Sequence, residues 1–125
     1  MKINNIAFVG IPVTDVRRAR KFYEEVFGLN LAEEMMSGKW VEYAIGNQTL
    51  AIANAGEQWR RSDQGTTAAL DVENSDKAIK QLRIRGVPFV AEPSETPCCH
   101  MAVVLDPDGN KLIIHKPESE KGICK

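Results

Sequence analysis

The stretch Val13-Thr14-Asp15-Val16-Arg17-Arg18-Ala19-Arg20-Lys21-Phe22-Tyr23-Glu24-Glu25-Val26-Phe27-Gly28-Leu29 reads as one helix punctuated at both ends. Thr14 stands where an N-cap oxygen is wanted, Asp15 puts a carboxylate in the first turn, and Gly28 occupies the place of a left-handed C′ residue. Val16, Ala19, Phe22, Tyr23 and Val26 recur at the spacing of one apolar helix face, while Arg17, Arg18, Lys21 and Glu24 fall elsewhere. An apolar run from Ile6 to Val13 precedes this helix, and a strand-like segment from Leu29 to Glu34 follows it.

The same order recurs further along. Thr66 to Val72 is a second apolar strand, Asn74-Ser75-Asp76 a second helix start with Ser75 as its cap candidate, and Arg85-Gly86 a second stop before Val87 to Glu92. Ala78, Ile79 and Leu82 carry a weaker version of the buried face. Asp15 and Asp76 are 61 residues apart and Gly28 and Gly86 are 58 apart, so the period is about half the chain. Each half closes with two more strands. Trp40 to Ile45 and Thr49 to Ala53 flank the hairpin turn Gly46-Asn47, and Cys99 to Leu105 and Lys111 to His115 flank Asp106-Pro107-Asp108-Gly109. The pattern predicts an α+β fold of two βαβββ modules, at about residues 1–56 and 65–116 of a single 1–125 domain. The polar stretch from Gly56 to Gly65 would connect the modules, and the mostly charged tail 117–125 would fray.

A chain of 125 residues suits one domain with an unaided core, and 43% apolar with 26% charged residues excludes disorder for its bulk. With 16 Lys and Arg against 17 Asp and Glu the net charge is -1, which lacks the basic footprint of a nucleic-acid binder and matches an anionic membrane surface equally poorly. Ile6 to Val13 is far shorter than the ~20 residues that span a bilayer. Two Asn precede that run and Thr14-Asp15 follow it where a signal peptide would need small residues, so a cytoplasmic protein is expected. Three cysteines, two of them the adjacent Cys98 and Cys99, suit reduced thiols.

From Val13-Thr14-Asp15 through Phe22-Tyr23 to Phe27-Gly28-Leu29, and again at Asp106-Pro107-Asp108-Gly109-Asn110, the chain resembles the vicinal oxygen chelate superfamily: glyoxalase I, fosfomycin and bleomycin resistance proteins, and extradiol dioxygenases. The resemblance covers nearly the whole chain. It implies modules forming a curled mixed sheet around a central cleft, and commonly a homodimer whose second chain completes the cleft. The superfamily's enzymes hold a divalent metal with His and Glu side chains from the strands. Counted from the same landmarks, those positions fall on Phe8, Ala51, Thr67 and Ile113. Phe, Ala and Ile offer no lone pair, and a shift of one residue either way brings in no strong ligand. The expectation is therefore that no metal and no other cofactor is used.

Alternation along strands places Phe8, Thr49 and Ala51 of the first half on the cleft side, with Thr67, Cys99, Met101, Val103 and Ile113 of the second. A two-residue hairpin at Gly46-Asn47 would set Glu42 across from Ala51 and Trp40 across from Ala53, turning both inward as well. These side chains are the candidate ligand-binding set, and they are largely apolar. Glu42 is a candidate general base or acid, because desolvation among aromatic side chains disfavours a charged carboxylate; at a rim it would simply be solvated. His115 is its candidate partner in proton transfer, or a surface histidine near the tail. His100 has the opposite parity and should face the helix layer, so Cys99 and His100 should not meet as a thiolate pair. Trp59-Arg60-Arg61 is either a solvated connector with one anchoring aromatic, or a lid or dimer contact that binds an anionic group.

Two functions of different kinds fit these residues. One is a metal-free module that binds a small apolar or aromatic molecule without chemistry, as the likeness to bleomycin resistance proteins implies, and the missing ligands favour it. The other is a small glyoxalase-like lyase or isomerase in which Glu42 or His115 moves a proton. Fold alone does not separate them.

Overall fold

The computed structural model describes residues 2, 4, 6–56, 60, 66–95 and 99–117. Its contacts group into two compact units, Met1–Ser62 and Asp63–Lys125, and each holds one βαβββ module. The architecture is the α+β duplication that the sequence predicts.

In the first module β1 (Val9–Pro12), β2 (Asn30–Met35), β3 (Trp40–Ile45) and β4 (Gln48–Ala53) form a mixed sheet in the order β1-β4-β3-β2. β1 runs parallel to β4, and the other neighbours are antiparallel. β1 is shorter than the apolar run it comes from. It ends at Pro12, which has no N–H for a ladder and is tolerated here because β1 is the sheet's edge. The hairpin at Gly46-Asn47 has the expected register, with Glu42 opposite Ala51 and Trp40 opposite Ala53.

The first helix begins as expected but is capped one residue later than Thr14. Asp15 is extended at φ -134 and its carboxylate accepts the Arg18 N–H at 3.1 Å, while the Thr14 hydroxyl instead accepts from the Arg18 guanidinium at 3.1 Å. After α1 (Val16–Arg20) the chain widens into a π-helical segment, Lys21–Val26, closed by the Phe27 N–H on the Phe22 carbonyl at 3.1 Å. The wider turn brings Phe22, Tyr23 and Phe27 into mutual ring contact, with centroids 4.7 to 5.7 Å apart, and stacks Tyr23 on Tyr43 of β3 at 6.2 Å. Ala19, Phe22 and Tyr23 are buried as the helical spacing predicts, whereas Val16 and Val26 are only half-buried. With Val41, Tyr43, Leu50 and Ile52 they form this module's core.

The second module repeats the plan with β5 (Ala68–Asp71), α2 (Ser75–Ile84), β6 (Phe89–Glu95), β7 (Cys99–Leu105) and β8 (Lys111–Pro117), in the order β5-β8-β7-β6 with β5 parallel to β8. Here the cap falls one residue before Ser75, because Asn74 is extended and its side-chain oxygen accepts the Lys77 N–H at 3.0 Å. Leu82, Val87, Ala102, Val104, Leu112 and Ile114 make the core, and of the expected helix face Ala78 and Ile79 stay half-buried. Gly28 and Gly86, at φ +70 and +74, end the two helical segments where the sequence places left-handed residues. The expected frayed tail beyond Pro117, and Trp59 and Arg61 of the connector, lie outside the described residues.

Candidate functional site

Since Val41, Tyr43, Leu50 and Ile52 point to the helix, alternation puts Trp40, Glu42, Thr49, Ala51 and Ala53 on the opposite face of the first sheet. Ala51 and Ala53 are fully buried there, and Trp40, Glu42 and Thr49 are half-buried. Phe8, immediately before β1, meets Trp40 edge to face with centroids 5.4 Å apart and keeps 40% of its surface exposed. The Trp40 Nε1–H donates to the Glu42 carboxylate at 2.9 Å, so indole and acid hold each other in place. The result is an aromatic pair and one anchored carboxylate over an alanine floor.

The second module presents an equivalent face. Ala69, Ile113 and Val103 are aligned across β5, β8 and β7, and Asp71, His115 and Met101 are aligned across the same strands two residues on. Thr67, Met101, Val103, Ile113 and His115 are half-buried. His115 Nδ1 lies 2.5 Å from Asp71 Oδ1. The ladder between β7 and β8 is continuous, so His100, opposite Lys116, stays on the helix side, where it lines a small cavity of about 130 Å³ with Ser75, Asp76 and Ile79. Cys98 lies outside the described residues, as does the side chain of Cys99.

On the helix side of the first module a charged network joins α1 and the π-helical segment to β2 and β3. Arg20 Nε donates to Glu24 at 2.6 Å, the buried Tyr43 hydroxyl donates to the same Glu24 oxygen at 2.8 Å, and Glu34 of β2 lies 3.5 Å from Arg20. The hydrogen bond from Arg20 holds the Glu24 carboxyl below the usual carboxylate range, against the opposing effect of burial. Burial, and then the neighbouring Glu24 carboxylate, push the Tyr43 hydroxyl well above an ordinary tyrosine. An open groove of about 530 Å³ runs beside this network, bounded by Arg17, Lys21, Ser37 and Gly38.

Phe8, Trp40, Glu42, Thr49 and Ala51 thus gather at one face of the first sheet, and Met101, Val103, Ile113 and His115 share one face of the second, with Thr67 immediately before β5. Asp71 is a residue that the sequence reading does not single out. Parallel pairing of the strand Thr66 to Val72 with Lys111 to His115 would have exposed it, because that register sets Asp71 beside His115. Of the four positions that the resemblance assigns to a metal, Phe8, Ala51 and Ile113 carry no donor atom and Thr67 only a neutral hydroxyl, which does not fit a divalent ion. Among the described residues no three His, Cys, Asp or Glu side chains gather closely enough to hold one, and no helix is long and apolar enough to cross a membrane.

The sequence profile of the Glyoxalase/Bleomycin resistance protein/Dioxygenase superfamily matches residues 2–114. The chain is 24% identical over 117 residues to the uncharacterized protein YetH of Bacillus subtilis (strain 168), covering 90% of this chain and 98% of that one. Among solved structures it is similar to TnmS3, an antibiotic binding protein from Streptomyces sp. CB03234, with TM-score 0.78 and 26% identity over 94% of this chain and 99% of the other. A glyoxalase/bleomycin resistance protein from Streptomyces sp. CB03234 matches with TM-score 0.72 and 26% identity, covering 88% and 98% of the two chains. A lactoylglutathione lyase from Agrobacterium tumefaciens, 17% identical over 92% and 95% of the two chains with TM-score 0.74, shares the fold. With its repeated βαβββ modules and a profile match from residue 2 to residue 114, this chain belongs to the glyoxalase/bleomycin resistance protein/dioxygenase superfamily.

Proposed function

We propose that this protein binds a small apolar or aromatic molecule and releases it without turnover. One observation carries the reading: the Phe8–Trp40 pair, with Phe8 40% exposed, the two rings near perpendicular and the Trp40 indole fixed by Glu42, forms an aromatic corner in which a planar ligand can stack on one ring and meet the edge of the other. Phe8 and Trp40 supply contact area, Ala51 a floor, and Thr49 and Glu42 polar orientation. On the second module's own sheet face Thr67, Met101, Val103 and Ile113 serve in the same way, with Cys99 as a further candidate. The likeness to an antibiotic binding protein at 26% identity supports this reading. We also propose that the two modules work as one domain and that the protein is a homodimer, because β2 is an edge strand exposed at every position.

Titration with Nile red, a neutral planar dye that brightens in apolar surroundings, tests the binding reading. Trp40→Ala should weaken dye binding at least about tenfold, near 1.4 kcal/mol, and Glu42→Ala less, because the indole supplies buried area while the acid supplies orientation. The reverse order, or turnover of a ketoacid-type or thioester-type substrate that disappears with Glu42→Ala or His115→Gln, would replace it with the lyase or isomerase reading.

A further inference from the structure

Asp71 is the last residue of β5, and the parallel register sets it directly beside His115 of β8. Its Oδ1 lies 2.5 Å from His115 Nδ1. An ionised carboxylate only accepts hydrogen bonds, so Nδ1 carries the hydrogen, and in the neutral imidazole the lone pair is left on Nε2. Among the described residues no second group hydrogen-bonds the His115 side chain. Its backbone is held, since its carbonyl accepts the Val72 N–H at 2.9 Å and the strand is paired on both sides. Its side chain is 23% exposed, and its neighbours on that face are Met101 on β7 and the apolar row Ala69, Ile113 and Val103.

The geometry points to His115 Nε2, oriented by Asp71, as the acceptor for an acidic hydroxyl, a phenol or enol, on a ligand lying against the second module's sheet. The apolar row takes the ring and the imidazole takes the hydroxyl. Where the proton moves, the ligand O–H bond breaks and an Nε2–H bond forms. The products are a phenolate or enolate and an imidazolium whose other N–H already rests on the Asp71 carboxylate, so no further reactant is needed. Asp71 is a positioning residue, and His115 is the one that touches the ligand. The inference rests on the small-molecule reading and deepens it on the second module's sheet face, through an atom that reading leaves unused, whereas the Phe8–Trp40 pair belongs to the first module.

The test uses the full chain and two probes of matched shape, 4-nitrophenol and its methyl ether 4-nitroanisole, whose affinity ratio isolates the hydroxyl. Nitrogen NMR of the free protein should find the neutral His115 with its hydrogen on Nδ1, and 4-nitrophenol but not 4-nitroanisole should move the Nε2 resonance. The wild type should prefer 4-nitrophenol by about tenfold, which corresponds to about 1.4 kcal/mol. His115→Phe should abolish the preference, Asp71→Asn should lose both most of it and the fixed tautomer, and Asp71→Glu should restore part of each. His115→Gln serves where the Phe variant does not fold. Equal affinity for the two probes in the wild type, a preference that survives His115→Phe, or a free-protein tautomer with its hydrogen on Nε2 would overturn the inference. Nile red binding that depends on Trp40 alongside equal probe affinities would sink only this inference, whereas a phenol preference without Trp40-dependent dye binding would sink only the reading of the first module.

Discussion

Asp106 is 4% exposed and its carboxylate accepts three hydrogen bonds within the turn: Oδ1 accepts the N–H groups of Asp108 and Asn110 at 2.9 and 2.8 Å, and Oδ2 accepts the Asn110 side-chain amide at 2.8 Å. Asp106→Ala should therefore destabilise by about 1 to 3 kcal/mol in urea unfolding, because it strands buried donors rather than merely deleting a contact. A value near zero would mean that water replaces the carboxylate. The Arg20–Glu24–Tyr43 network makes a pH prediction. Glu24 has a folded-state pKa below its unfolded one, so its contribution is present above the unfolded value and lost as pH falls through the folded value. Glu24→Gln should flatten the acid limb of stability against pH below the ordinary carboxylate range. Tyr43 is raised, so its contribution is present below the unfolded tyrosine pKa, near 10, and erodes as pH climbs beyond it. Tyr43→Phe should soften that alkaline loss.

At the scale of elements, the helix starts separate composition from geometry. Thr14 and Asp15 are both good caps, and only the extended backbone at Asp15, with its carboxylate on the Arg18 N–H, decides between them. Asp15→Ala should cost about 1 kcal/mol and Thr14→Ala clearly less, measured as shifts in the urea midpoint. Equal costs would mean that the cap is shared. In the closing hairpin Gly109 sits at φ +82 and its N–H donates to the Asp106 carbonyl at 3.0 Å. Gly109→Val should cost about 1 to 3 kcal/mol through backbone strain. The π-helical widening at Lys21–Val26 could not be read from the sequence, since the apolar spacing there fits an ordinary helix as well. Aromatic packing of Phe22, Tyr23 and Phe27 goes with the wider turn.

For the whole molecule the predictions concern mass action and assembly. A divalent ion bound only to the folded state at 100 times its Kd would add about 2.7 kcal/mol, which for a chain of this size raises Tm by several degrees. Nickel, zinc, manganese and magnesium should produce no such shift, because Phe8, Ala51, Thr67 and Ile113 stand where His and Glu would be needed. A stoichiometric metal in elemental analysis would show that other side chains hold one. Light scattering at micromolar concentration should report a dimer. A monomer there would leave the edge of β2, with Leu31 and Met35 exposed and Met36 just beyond it, to some other cover.

The sequence by itself determined the duplication, the strand-helix-strand order, the Gly46-Asn47 register and the loss of donor atoms at the family's ligand positions. Periodicity, turn chemistry and the presence or absence of lone pairs are local properties that residues carry wherever they are. Only the tertiary structure decided which oxygen caps each helix, that the helix widens after Arg20, and that Trp40 donates to Glu42 against Phe8. It alone set Asp71 beside His115, 44 residues away in the chain. The Asp71–His115 and Phe8–Trp40 contacts need groups from separate stretches of chain to arrive at contact distance, while the caps, the widened turn and the Trp40–Glu42 bond turn on backbone dihedrals and rotamers that the residue pattern leaves open and that packing selects.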